Sequence, residues 1–276
     1  MSKLNMYLTK TFLSRVLIAV FGIPLLLTCI NLGGIPFSLL LSAITALGLF
    51  EFYNLMKKKG IRSFRIPGII LGVAWIWSVH FFPGFLFEIL AGIVCILLFI
   101  SLSRKNDGAS VNLASTILGI IYIPVLISTL ILLHKAGVGR DGAQLVLMLF
   151  VTIWICDTFA YFAGTMMGKT PVAPTLSPKK TVEGSIAGVI GAVLTVFVFK
   201  WLGRVPDQMG TLQLLGFALL TGVFCQLGDF MESQFKRDAQ VKDSSSLLLG
   251  HGGILDRFDA FFIAVPVIYL YIRFIF

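Results

Sequence analysis

The sequence predicts an all-α integral membrane protein of about nine transmembrane helices, with its N-terminus inside and its C-terminus outside. Three observations carry that expectation. Mean hydropathy is +0.95 and 57% of the residues are hydrophobic, against roughly 45–50% in a soluble domain. Apolar runs long enough to cross a hydrocarbon core of about 30 Å recur along the whole chain. Lys and Arg are concentrated in alternate inter-span segments, the pattern of a polytopic protein.

The runs fall at about 12–33, 35–56, 67–83, 84–103, 113–134, 144–165, 182–202, 211–231 and 256–275. Lys3, Lys10 and Arg15 precede the first, as in a secretory signal. No small-x-small cleavage site follows, and Leu27-Thr28-Cys29 lacks the small residue of a lipoprotein signal, so a retained span is expected. The second holds Glu51 and ends at Lys57-Lys58-Lys59. Only Phe82-Pro83-Gly84 separates the third from the fourth, which predicts a tight helical hairpin; one kinked element or a re-entrant pair is the alternative. The fifth follows Arg104 and Lys105, and the sixth contains Asp157. A loop rich in Pro and Gly, 166–181, leads to the seventh. The eighth runs into a mixed-charge segment that ends where the ninth begins. Cys29, Cys95, Cys156 and Cys225 lie inside spans without ligand-like spacing and read as small buried side chains.

The net charge of +9 raises the question of nucleic acid, and its distribution answers it. With an inside N-terminus, seventeen of the 22 Lys and Arg fall in inside segments. The excess is therefore a topology and anionic-lipid signal, and no nucleic-acid partner is expected. Acids are distributed just as unevenly. From Asp157 onward all but Asp207 lie in inside loops or the inside halves of spans. This divides the chain into an N-terminal transmembrane bundle, 1–110, for packing and for assembly such as a homodimer, and a C-terminal bundle, 111–276, carrying the chemistry. No internal repeat or linker is visible, and inverted transporter repeats would place polar interruptions in both halves. Glu51, Glu88, His80 and His134 look isolated and receive no role.

The chemistry is expected between the last two spans. On a helix, Asp229, Ser233, Lys236 and Arg237 share one face, with Glu232 close to it. Lys242 and Asp243 follow. Asp256 and Asp259, with Arg257 between them, come just after His251-Gly252-Gly253, where a helix start would offer amides to an anion. Acidic pairs from neighbouring helices suit a hard divalent cation such as Mg²⁺, with room for a second cation. Solvated helix ends with local ion pairs are the alternative. In the 166–181 loop, Lys179, Lys180 and Thr181 precede a helix start; Thr181 as N-cap would leave amides beside two ammonium groups, suiting a triphosphate. Asp157, with Tyr161 one turn on, is an intramembrane acid that either approaches the same site or neutralises one of those lysines. His251 reads equally as a phosphate or base contact or as a turn cap.

The pattern Ser233-x-Phe235-Lys236-Arg237-(x4)-Lys242-Asp243-x-Ser245-x-x-Leu248-x-x-His251-Gly252-Gly253-Ile254-x-Asp256-Arg257-Phe258-Asp259 resembles the signature of the CDP-diacylglycerol synthases, or phosphatidate cytidylyltransferases. The resemblance extends through Asp157-x-x-Ala160-Tyr161, Ser177-Pro178-Lys179-Lys180-Thr181-x-Glu183-Gly184 and Gln226-x-Gly228-Asp229, covering roughly 150–260; the first half resembles the family only as a multi-span bundle. Leu249 departs from it, standing where the family usually has Pro or Gly. The resemblance implies that CTP and phosphatidic acid give CDP-diacylglycerol and pyrophosphate with Mg²⁺, at a site facing the cytoplasm from a plasma or inner membrane. It points to Asp229 and Asp256 as metal ligands, with Asp259 close behind. Another CTP-dependent lipid kinase or cytidylyltransferase, or an ion or anion transporter, are the rivals.

Overall fold

The computed structural model describes residues 20–103, 108–137, 141–207, 209–245 and 252–275. His251, Leu249 and the basic residues before α1 lie outside the described residues. Every apolar run read from the sequence is occupied by helix. These are α1 (Val20–Leu32), α2 (Gly34–Lys58), α3 (Arg65–Phe81), α4 (Leu86–Leu102), α5 (Ala109–Ile120), α6 (Thr129–Ala136), α7 (Asp141–Met167), α8 (Val182–Trp201), α9 (Thr211–Asp238) and α10 (Leu255–Ile275). Among the described residues, seven helical stretches are long and apolar enough to cross a membrane; α1 and α3 are shorter.

Local chemistry explains the junctions. The expected hairpin between α3 and α4 forms: Phe82 leaves the helical region and Pro83 opens a 3₁₀ turn, Pro83–Phe85. α5 and α6 belong to a single 28-residue span interrupted by a π turn, Ile121–Val125. Pro124 lies in that turn, where a missing amide hydrogen breaks the helical ladder and a widened turn accommodates the ring.

Two expectations are corrected. The 166–181 stretch, expected as a loop, contains two strands: β1 (Pro171–Ala173) and β2 (Ser177–Thr181) form an antiparallel hairpin, with Pro171 opposite Thr181 and Ala173 opposite Ser177. Cys95 is exposed on α4, whereas Cys29, Cys156 and Cys225 are buried as expected.

α9 also continues past the apolar run, through Met231 to Asp238. Its hydropathy falls there while its backbone bonding does not, so the charged residues sit on a rigid helix. The two halves share a core. Phe52 of α2 packs edge-on against Phe235 of α9 at 5.6 Å, and Tyr122 of the π turn lies 5.1 Å from Phe235 and 5.0 Å from Phe262 of α10.

The same end of the bundle gathers the end of α2, the hairpin, the end of α9 and the start of α10. Lys59 pairs with Asp238, and Arg237 Nε donates to the Leu176 carbonyl at 3.2 Å. At the other end His134 meets the Ile30 carbonyl at 2.9 Å and His80 meets Ser38 at 2.8 Å. Neither histidine is isolated as the sequence suggested: each makes a hydrogen bond between helices.

Candidate active site

At the gathered end a cavity of about 440 Å³ opens between α7, β2, α8 and α9. Asp157, Tyr161, Ser177, Lys179, Lys180, Thr181 and Asp229 all line it, and all but Ser177 were singled out from the sequence as site residues. Thr181 caps α8 as expected, its Oγ1 accepting from the Gly184 amide at 3.2 Å. Lys180 pairs with Asp229 and lies 4.7 Å above the Phe230 ring. Asp157 lies near enough to Asp229 and Lys180 to interact electrostatically with both. Glu183 steadies the start of the hairpin by accepting from the amides of Lys169 and Thr170 at 3.1 and 3.3 Å.

Close helix packing brings the next acid to this group. A Cβ on Gly228 would stand 2.5 Å from the Asp259 carbonyl oxygen, so only glycine lets α9 lie against α10 at this level. Asp229 and Asp259, one on each helix at the crossing, interact electrostatically with each other, and Asp259 also feels Asp157 and Lys180.

A second cluster lies beside the first. Lys236 pairs with Glu232 one turn earlier on α9 and with Asp256 Oδ1 at 2.7 Å. Asp256 accepts further from the Ser244 amide, the Ser244 hydroxyl at 2.8 Å and the Gly253 amide at 2.7 Å. Glu232 is only 1% exposed and its one partner among the described residues is the Lys236 ammonium, while the Tyr122 hydroxyl, also buried, has none among them. Beyond this cluster, Lys242 and Asp243 line an open cleft of about 750 Å³ with Asn54, Lys57, Lys58, Ser244 and Ser245.

The face shared by Asp229, Ser233, Lys236 and Arg237 therefore splits in its contacts. Asp229 looks into the cavity and Lys236 turns to α10. Ser233 is buried, and Arg237 bridges the carbonyls of Leu176 and Val241, each at 3.2 Å. Arg257 is exposed at the start of α10, and Gly252 takes a left-handed φ of 80° beside Asp256.

The expectation for the α10 start is overturned in one respect. Its amides do face an anion, but that anion is the protein's own. Glu51 of α2, 0% exposed, accepts from the Ile254 amide at 3.0 Å, the Leu255 amide at 2.9 Å and the Ser245 hydroxyl at 2.6 Å. Glu51 is thus not isolated. Its signal was present in the sequence as an acid in an apolar span, the argument already applied to Asp157.

No group of three or more His, Cys, Asp or Glu in metal-holding geometry occurs among the described residues. The donor set nonetheless fits a hard cation. Asp157, Asp229, Glu232, Asp256 and Asp259 are electrostatically linked, and among the ion pairs formed by the described residues Asp229 pairs with Lys180 while Glu232 and Asp256 share Lys236. The five acids thus exceed the two lysines paired with them, and Glu232 has the Lys236 ammonium alone as a partner among the described residues. Such an excess beside an apolar core favours a bound cation.

The fold and site together define a polytopic membrane protein with a cavity at one end of its helices that is lined by lysines and aspartates. The cytidylyltransferase family matches residues 13–275, and the chain belongs to that family. It is similar to the phosphatidate cytidylyltransferase of Bacillus subtilis, 33% identical over 264 residues, 92% of this chain and 95% of that one. The protein of the same name from a Synechocystis species is 32% identical over 286 residues, covering 94% and 95% of the two chains. That of Staphylococcus aureus is 30% identical over 260 residues, covering 92% and 96%. The likeness therefore reaches well into the first half, beyond the 150–260 region that carries the signature.

Proposed function

We infer that this chain is a phosphatidate cytidylyltransferase, a nucleotidyltransferase that makes CDP-diacylglycerol for phospholipid synthesis from CTP and phosphatidate. The observation that carries the reading is the cavity in which Lys179, Lys180 and the capped start of α8 meet Asp157 and Asp229, in a chain that belongs to the cytidylyltransferase family throughout. Ammonium groups beside a helix N-terminus suit phosphate oxygens.

In the reaction, an oxygen of the phosphatidate phosphate attacks the CTP α-phosphorus in line, and the bond to the bridging oxygen breaks to release pyrophosphate. The nucleophile is already anionic near neutral pH, so no strong general base is needed. Catalysis then rests on positioning and on neutralising charge. Lys179, Lys180, Thr181 and Tyr161 are assigned to substrate in the cavity. Lys242 and Asp243 mark its outer approach. Ser233, His251, Gly252, Gly253 and Arg257 complete the signature and are assigned to shaping this end of the site. Arg237 holds the hairpin, through its bond to Leu176, against α9.

Mg²⁺ would supply charge neutralisation on the phosphates. Asp229 and Asp259 are its best-suited ligands. Asp256, named with Asp229 by the family resemblance, already accepts from Lys236, Ser244 and Gly253, which uses most of its lone pairs. Its part is to hold the start of α10 and the Lys236 ammonium in place.

Nine spans with the N-terminus in the cytoplasm fit this chemistry. α3, at 17 residues, reaches about 26 Å at 1.5 Å per residue, close to a hydrocarbon core. The lipid tails then stay in the bilayer while the head group meets CTP at the cytoplasmic end. Purified protein given phosphatidate and CTP labelled at the α- or the γ-phosphate tests the reading. Label from the α position should enter a lipid that co-migrates with CDP-diacylglycerol, and γ label should leave as pyrophosphate. Entry of γ label into lipid would instead identify a kinase, and vesicle flux without CTP turnover a transporter.

A further inference from the structure

We propose that Glu51 is a positioning residue for the transfer reaction, acting from the N-terminal half through the Gly253–Asp256 turn. The inference rests on the reading that Asp259 serves the reacting groups while Asp256 holds the start of α10, and it concerns how α10 is aimed at those groups.

Glu51 has no cationic partner among the described residues. Its negative charge is held instead by the amides of Ile254 and Leu255 at the start of α10 and by the Ser245 hydroxyl. A helix N-terminus presents amides without intrahelical acceptors, and a carboxylate there is favoured by the helix dipole. Glu51 Oε1 takes Ile254 N and Ser245 Oγ; Oε2 takes Leu255 N and stands 3.2 Å from Ser244 Oγ. Ser244 Oγ also lies 2.8 Å from Asp256 Oδ2. A hydroxyl has one proton to donate, so the shorter contact takes it, and Ser244 is the wedge between the two carboxylates.

Gly253 shows how tight this assembly is. A Cβ there would stand 2.2 Å from Glu51 Oε2 and 2.2 Å from Ser244 Oγ. The second glycine of the signature thus accommodates a side chain of α2, not only a ligand. Asp256 closes the same turn from the other side by accepting Gly253 N at 2.7 Å. One carboxylate from each half therefore grips one turn, and that turn sets the start of the helix carrying Asp256 and Asp259.

The test compares Glu51→Gln, Glu51→Asp and Ser245→Ala with wild type, reading kcat, the KM for CTP, thermal unfolding, and hydrogen exchange at Ile254 and Leu255. Glutamine has one acceptor oxygen and turns an NH₂ toward amide donors. Glu51→Gln is expected to lose about 100-fold in kcat, the scale of a misplaced reacting group, with little change in KM for CTP and with faster exchange at both amides. Glu51→Asp should recover part of the kcat. Tyr53→Phe, which removes a bond from Tyr53, on the same helix as Glu51, to the Thr116 carbonyl of α5, should leave kcat at the wild-type value.

Combined with Ser244→Ala, Glu51→Gln should lose less than the product of the single effects, since both act on Asp256. Wild-type kcat per folded molecule in Glu51→Gln overturns the proposal, as does a multiplicative double mutant. Should Glu51→Gln not fold, Ser245→Ala and Glu51→Asp decide by the same kcat and exchange readouts, unchanged values in both overturning it. A wild-type protein that transfers no CMP to phosphatidate would overturn the functional reading instead, and exchange would still judge the contact.

Discussion

Lys236 holds together two acids that would otherwise repel. Its side chain is 12% exposed, Asp256 likewise 12% and Glu232 1%. Replacing Lys236 by Met leaves both carboxylates buried without their cation, which is expected to destabilise the fold by about 3 kcal/mol. Thermal unfolding in detergent should show the loss, and an unchanged midpoint would count against the pairing. The aspartates separate by the same logic. Asp229→Asn removes a cavity acid whose partner is a lysine, so turnover should collapse while the protein purifies with a normal unfolding temperature. Asp256→Asn places an NH₂ group among the donors of Ser244 and Gly253, so both turnover and stability should fall. Equal stability of the two variants would refute the division of roles. Asp157, Asp229 and Lys180 were legible in the sequence because a charge beside an apolar run is conspicuous on its own, and Thr181 because a hydroxyl residue before a helix start reads as a cap. Glu51 was equally conspicuous, but its partners lie 193 to 204 residues away, and no local pattern links them.

Among the elements, the crossing of α9 and α10 aligns the acids. Gly228→Ala puts a Cβ 2.5 Å from the Asp259 carbonyl and should cost about 1–3 kcal/mol as the helices part. Because Asp229 moves with the helix, kcat per folded molecule should fall as well. Gly222→Ala, tight against Val189 and Ala192 of α8 instead, should destabilise with a much smaller effect on kcat. Similar kcat losses in both would show that the crossing has no special bearing on the acids. The hairpin gives a companion case. Arg237 spans two carbonyls with two different nitrogens, a fork that a lysine ammonium does not reproduce. Arg237→Lys should lose substantial activity despite keeping the charge; wild-type turnover in it beside a dead Arg237→Ala would reduce the role to charge. Helices were readable because an apolar run of this length has few alternatives. The hairpin was not, since Pro171–Thr181 has no alternating pattern and pairs only because its ends are fixed by α7 and α8.

For the whole molecule, sidedness decides whether the chemistry has access to its nucleotide. Five separate segments meet at the active end: the end of α2, the hairpin, the start of α8, the end of α9 and the start of α10. Lys57, Lys58, Lys179, Lys180, Lys236, Arg237 and Arg257 lie in these segments, and the positive-inside rule favours the cytoplasm for such a basic end. Thr175 at the hairpin turn and Asp207 between α8 and α9 are both exposed and lie on opposite sides in this arrangement. Single cysteines at the two positions, in a background with the four native cysteines replaced and turnover retained, should react differently with a membrane-impermeant maleimide. Asp207→Cys should label in intact cells, and Thr175→Cys only after lysis. The reverse pattern would put the cavity outside, where no CTP pool reaches it, and would separate the family resemblance from any activity on cytoplasmic nucleotide.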